Sequence, residues 1–173
     1  MATTDLEARL RALEARLGVL EDVEAIRRLK ARYGELVDGR YAGGAPRSRA
    51  ELERIAGEIA DLFTEDALWY GGAALGVCRG RAAIQERFAA PTLAFSWHYF
   101  VKPQIAVEGE AARARWDLLA PCTSRDGRAM WMAGVEDDEY RKLGGRWLHQ
   151  RMALRVVFMA PHDRGWAPKP GPP

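Results

Sequence analysis

Cysteine is scarce in this chain: of 173 residues, only Cys78 and Cys122 are cysteines. There is no Cys-x-x-Cys pair, and neither cysteine has a histidine at metal-ligand spacing. This argues against a zinc site or a disulfide framework and for two buried free thiols. No apolar run approaches the ~18 residues of a membrane span. The first residues are charged helix formers rather than the apolar core of a signal peptide. A soluble, cytoplasmic protein is expected, with no membrane partner. Excess charge is lacking too: 26 basic and 24 acidic residues leave a net charge of +2. That gives no electrostatic case for a nucleic-acid partner, although the pI is 8.7. Only four of the basic residues are lysine. With so much Ala and Gly, the arginine bias reads as the mark of a GC-rich bacterial genome. Gly-x-Gly-x-x-Gly, Walker, Gly-x-Ser-x-Gly and His-Glu-x-x-His motifs are all missing. Their absence points away from a nucleotide, a serine nucleophile and a catalytic zinc, and no cofactor is expected.

What is present begins with a repeat, LEARLRA at 6–12 and LEARLGV at 13–19. Leu6, Leu10, Leu13, Leu17 and Leu20 alternate at spacings of four and three, a heptad seam flanked by Glu and Arg. Two heptads are short for an independent coiled coil. The segment 1–20 is either an amphipathic helix lying on its own domain or an arm that zips onto a neighbouring subunit. The helical pattern then shifts phase and continues through Val23, Ile26, Leu29, Tyr33 and Val37 to a stop near Gly39. A loop over 39–49, a helix over 50–63, a short strand at 67–70 and a helix over 81–89 follow. From Phe95 the pattern alternates as strands: 95–101, 104–107 after the interruption by Pro103, 112–123, 128–141 and 146–159. Asp126-Gly127 and Gly144-Gly145 supply the later turns. Residues 160–173 hold five prolines and two glycines, so 162–173 is expected to be an extended, partly disordered tail. Helices followed by a strand meander predict an α+β domain over 17–161, with a curved antiparallel sheet wrapped around three N-terminal helices. A strongly twisted sheet leaves a concave face where a small-molecule pocket forms.

Several segments in this order resemble the SnoaL-like family of the nuclear-transport-factor-like superfamily. They are VEAIRRLKARYGELVD, IADLFTEDALWYGG with CRGRAAIQERF, SWHYFVKPQIAVEGEAARARWDLL and GGRWLHQRMALRVVFMAP. The resemblance implies a cone-shaped α+β barrel. Tyr33, Asp38 and His98 match a tyrosine, an aspartate and the catalytic histidine of dehydratases such as scytalone dehydratase and bile-acid 7α-dehydratase. Dehydrochlorinase relatives share the Asp–His pair and differ where Tyr33 stands. The resemblance therefore implies a cofactor-independent lyase performing β-elimination, dehydration before loss of halide, on a hydrophobic polycyclic, steroid-like or polyketide-like molecule. It also implies a homo-oligomer, a trimer first and a dimer second.

The chemistry assigns His98 as base, Asp38 as the group that orients it and Tyr33 as hydrogen-bond donor. Residues five apart on a helix point about 140° apart, so Tyr33 and Asp38 serve one pocket only near a helix end or distortion. Trp69, Tyr70, Trp116, Asp117, Trp131 and Arg151 are candidates for binding substrate. Strand alternation lets at most one of Trp131 and Met132 face inward. Asp117 has an alternative as the surface partner of an arginine, and Arg151 as part of a solvated row with Trp147, His149 and Arg155. Six tryptophans suit a flat aromatic ligand, and ordinary packing accounts for them equally well. The same groups would serve an isomerase or cyclase. A non-catalytic binding module or an accessory subunit is the reading from another class. A lyase requires a His98–Asp38 contact of about 2.6–3.2 Å beside an open cavity; an accessory subunit predicts a buried His98 without a carboxylate neighbour.

Overall fold

The computed structural model describes residues 2–163, with side chains from residue 5 onward. The expected tail therefore lies, beyond Asp163, outside the described residues. Helix α1 spans Ala2–Asp38 without a break, so the heptad segment and the first helix of the domain are one element about 55 Å long. Its start projects from the domain: Leu6, Leu10, Leu13, Leu17 and Leu20 are 55–68% exposed. Past Val23 the apolar positions Ile26, Tyr33 and Val37 turn into the core.

A small hairpin follows, β1 (Tyr41–Ala42) and β2 (Ala45–Pro46), in a stretch the sequence suggests to be loop. Gly43 and Gly44 close it with φ of 58° and 81°, the paired left-handed conformation that two-residue hairpin turns require. Helix α2 (Arg49–Ala60) starts at a capping box: the Ser48 side chain accepts from the Glu51 N–H, and Glu51 accepts from the Ser48 N–H. Strands β3 (Phe63–Tyr70) and β4 (Val77–Arg79) precede helix α3 (Arg81–Ala89). The remaining strands are β5 (Phe95–Ser96), β6 (Tyr99–Glu108), β7 (Ala111–Thr123), β8 (Ala129–Leu143) and β9 (Arg146–Pro161). The sheet order is β4-β3-β9-β8-β7-β5, with β6 also on β7. The architecture is α+β, but the sheet is mixed: β3 pairs with β9 in parallel, where an antiparallel sheet was expected. Leu36, Ile55, Ile59, Phe63, Ala67, Trp69, Ile84, Phe88 and Met152 form the core between helices and sheet. Cys122 is buried and Cys78 half-buried, both free.

Inward positions of β7 and β8 come from strand alternation. Ala112, Ala114, Trp116 and Leu118 face α1, and their β8 partners are Tyr140, Asp138, Glu136 and Gly134. Two carboxylates thus enter the interior. Lys30 of α1 meets both, donating to Asp138 at 2.8 Å and to Glu136. Tyr140 donates to Asp138 at 2.9 Å and accepts from the Trp116 indole at 3.2 Å. Burial, opposed by Lys30 and reinforced by Glu136, raises Asp138 to about 6. Burial alone would lower the Lys30 pKa, but Asp138 and Glu136 outweigh it and raise it. Beside this network lies His149, fully buried against Tyr140 at 4.8 Å and Phe63 at 5.0 Å between ring centroids. Neither of its ring nitrogens has a hydrogen-bond partner among the described residues.

Lys30→Met leaves two facing carboxylates without a counter-charge, and we expect it to cost about 3–5 kcal/mol in urea unfolding. A loss below about 1 kcal/mol would contradict the assigned role. Burial, with Lys30 nearby, holds the His149 pKa well below 6.5. Below pH 6.5 the unfolded chain therefore binds a proton at His149 that the folded chain does not. Against an opposite slope from the raised Asp138 below about pH 6, His149 by itself makes stability fall as pH drops, by up to about 1.4 kcal/mol per pH unit. His149→Phe should remove that slope. An unchanged slope in the mutant would assign acid sensitivity to other groups.

Candidate active site

β5 and β6 form one edge segment along β7, paused at Trp97 and His98. The Trp97 N–H donates to Pro121 O at 3.1 Å, so the next N–H, that of His98, points away from the sheet. A backbone donor so placed needs a partner, and Asp38 supplies it. The His98 N–H donates to both Asp38 oxygens, at 3.1 and 3.0 Å. The ring nitrogen Nδ1 lies 2.6 Å from Asp38 Oδ1. Alternation leaves Trp97 and Tyr99 exposed while His98 and Phe100 turn inward, their rings stacked at 5.9 Å. A carboxylate against Nδ1 selects the tautomer with hydrogen on Nδ1 and leaves Nε2 as the unprotonated nitrogen.

His98 lines a cavity of about 190 Å³ between the sheet, α1, α3 and the loops around Leu75 and Leu93. Tyr33, Trp69, Phe88, Leu118, Met132 and Leu154 supply much of its wall. Asp38 does not line it. As the last residue of α1 it sits behind the imidazole while Tyr33 opens on the cavity directly, which resolves the 140° problem at a helix end. Tyr33 is buried, and its hydroxyl accepts from the Trp69 indole at 3.3 Å. Burial and the charge of Glu136 raise its pKa, so it remains an O–H donor. Gly34 allows the approach of β6: a Cβ there would lie 3.3 Å from the Phe100 ring.

Of the expected substrate-binding residues, Trp69 reaches the cavity and five do not. Tyr70 follows Trp69 on β3 and points to the other face. Trp116 is inward but belongs to the cluster around Ile26 and Trp147, its indole engaged by Tyr140. Asp117 lies on the outer face and accepts from Lys102 at 2.7 Å, a lysine rather than the anticipated arginine. Lys102 holds a φ of 52° at the irregularity between Val101 and Gln104, beside Pro103. Trp131 faces away and donates to His162 at 2.9 Å, leaving Met132 as the inward member of that pair. Uninterrupted alternation would put Arg151 on one face with Trp147 and His149. A bulge inserts Gln150 between the β8 partners of His149 and Arg151, which flips the alternation, and Arg151 points outward toward Glu139 at 4.0 Å.

Three charged residues that the sequence reading did not single out also line the cavity: Arg40, Arg87 and Glu136. Glu136 pairs with Lys30, which it shares with Asp138. Arg40 is 7% exposed; its Nε donates to Val37 O at 2.9 Å and its Nη1 to Phe88 O at 3.4 Å. Burial lowers its pKa, Tyr41, Tyr33 and Asp38 oppose that, and Arg87 adds to it. A guanidinium is basic enough to remain charged nonetheless. A signal for Lys30 existed: it is in helical phase with Ile26, Tyr33 and Val37. For Glu136 and Asp138 the signal was their strand phase with Tyr140, masked by the acidic run from Glu136 to Glu139. Among the described residues no helix is long and apolar enough to cross a membrane, and no group of three His, Cys, Asp or Glu side chains could hold a metal ion.

The same architecture occurs in solved structures. A hexachlorocyclohexane dehydrochlorinase, LinA-type3, from Novosphingobium barchaimii LL02 superposes with a TM-score of 0.70 at 20% identity, over 90% of this chain and 99% of that one. A protein provisionally assigned as a scytalone dehydratase from Novosphingobium aromaticivorans DSM 12444 gives 0.66 at 22%, over 86% and 97%. An NTF2-like protein with a cystatin-like fold, from Novosphingobium aromaticivorans, gives 0.65 at 26%, over 84% and 88%. At the two lower identities the likeness is one of fold. No curated protein matches the sequence. The profile of the SnoaL-like domain matches residues 52–153, more than half of the chain, and the protein belongs to that family.

Proposed function

We propose that the protein is a cofactor-independent lyase that eliminates water from a small apolar hydroxy-carbonyl compound. The observation that carries this reading is the 2.6 Å contact between His98 Nδ1 and Asp38, with the ring on the cavity wall. Nε2 removes the proton beside the carbonyl, and the C–H electron pair becomes the new C=C as the C–O bond breaks. Tyr33 donates its proton to the departing hydroxide, which leaves as water, and the proton held on His98 returns to the tyrosinate. Asp38 touches no reacting atom; it is a positioning residue that fixes the ring and stabilises the imidazolium. The family's dehydratase and dehydrochlorinase relatives support this class of reaction. The cavity is smaller than the usual 300–1,000 Å³ of drug-sized sites, which favours a compact ring system over a whole steroid. The close carboxylate neighbour of His98 disfavours the accessory-subunit reading.

The test is a panel of β-hydroxy ketones incubated with protein in D₂O and followed by proton NMR. We expect conjugated enone to form, slowed about 10²–10⁴-fold by His98→Ala. Asp38→Asn should slow it comparably, because an amide donor selects the opposite tautomer. Deuterium entering beside the carbonyl without elimination would reassign the same groups to an isomerase. Turnover that persists in His98→Ala would remove the dyad from the chemistry.

A further inference from the structure

Two guanidiniums face one largely apolar cavity, and neither has a carboxylate within ion-pair reach among the described residues. Arg40 is more than nine-tenths buried and spends two donors on the carbonyls of Val37 and Phe88, leaving one arm uncommitted. Arg87 Nε is buried without a partner, and its Nη2 has only a 3.4 Å contact with the Thr92 hydroxyl. The two arginines flank Phe88: the Arg40 guanidinium lies 5.0 Å from the Phe88 ring centroid, and Arg87 precedes Phe88 on α3. The acids nearby are committed elsewhere, Asp38 to His98 and Glu136 to Lys30. Like charges in a desolvated site repel, and an anion entering it relieves that repulsion while completing the free hydrogen bonds.

We propose that the Arg40–Arg87 end of the cavity is an anion subsite, so that the ligand is a compact apolar molecule carrying a carboxylate. This rests on the assignment of the cavity as the active site but not on the elimination chemistry, because binding can be read without turnover. The probes are 2-naphthoate and its uncharged analogue 2-naphthamide, neither of which has a leaving group, titrated by calorimetry. The acid should bind about ten- to a hundredfold more tightly than the amide. Arg87→Gln, on a half-exposed helix face, should remove most of that preference. Arg40→Gln should do likewise, and Arg40→Lys should keep part of it. Equal affinity for acid and amide overturns the proposal, as does a preference that survives both glutamine variants. A preference lost in His98→Ala but kept in the arginine variants also overturns it, by placing the anion on the imidazole. Failed elimination with an intact acid preference would sink the lyase reading and leave this one standing.

A second, independent observation concerns the projecting start of α1. With Leu10 and Leu17 at heptad positions a, and Leu6, Leu13 and Leu20 at d, every e position is glutamate (Glu7, Glu14, Glu21). The g positions Arg9 and Arg16 are arginine. In a parallel pair g faces the following e of the partner, which sets Arg9 against Glu14 and Arg16 against Glu21. An antiparallel pair sets like charges together. The five leucines are 55–68% exposed and belong to none of the core clusters, and the helix is already nucleated by its anchored half, which offsets the shortness of the seam. The geometry points to a second copy of this chain, in parallel register, as the occupant of the seam. Leu10→Cys in the full chain, oxidised and digested, should yield a 10–10 linked peptide. Glu14→Arg with Glu21→Arg should lower its yield at least fivefold, and adding Arg9→Glu and Arg16→Glu should restore it. Absence of the 10–10 link in folded protein, or a yield indifferent to both charge changes, overturns the proposal.

Discussion

The ammonium of Lys30 fixes how α1 sits on the sheet. A buried charge separated from its partners costs several kcal/mol, so the helix must adopt the rotation and depth at which Lys30 meets Glu136 and Asp138 on β8. One residue of helical slippage would turn it about 100° away. That same register carries Tyr33, one turn on, to the cavity, and Asp38, two turns on, to the back of His98. Apolar contacts alone would tolerate small rotations of α1. The two-carboxylate clamp does not, and the dyad depends on that rigidity.

The cavity pairs an apolar wall with a small set of charges of unequal standing. Glu136 is compensated by Lys30, Asp38 by the two donors of His98, and the two arginines by nothing stronger than carbonyls, a hydroxyl and ring faces. The uncommitted guanidinium donors therefore favour negative charge at the Arg40–Arg87 end of the cavity. In a proton abstraction beside a carbonyl, negative charge grows on oxygen in the transition state. Fixed donors aimed at such charge lower the barrier without reorganising. On the proposed elimination, the arginines would therefore bear on the reaction as well as on selection of the ligand.

Much of this was legible in the sequence. Periodicity found the helices and long strands, and the family resemblance brought Tyr33, Asp38 and His98 together. What was not legible depends on events that periodicity does not report. The bulge at Gln150 moved Arg151 from the inner face to the outer. Lys30 and Glu136 sit in core phase but look, by composition, like solvated surface. Asp117 found Lys102 because the backbone irregularity near Pro103 brings that side chain across. Trp116 does face inward, yet an inner face has more than one compartment, and Trp116 packs with Ile26, Tyr140 and Trp147 rather than on the cavity.

The contact between Asp38 and the main chain of His98 separates two roles that mutation usually confounds. A carboxylate held only by the imidazole would relax once the ring was removed, and the loss of activity would mix lost chemistry with lost structure. Here the His98 N–H, which no substitution other than proline deletes, continues to hold both Asp38 oxygens. That bond also satisfies an edge-strand donor with no other partner, so the end of α1 and the sheet edge stay joined. The position of Asp38 belongs to the fold, and what the imidazole would add to it, on the proposed elimination, is the chemistry.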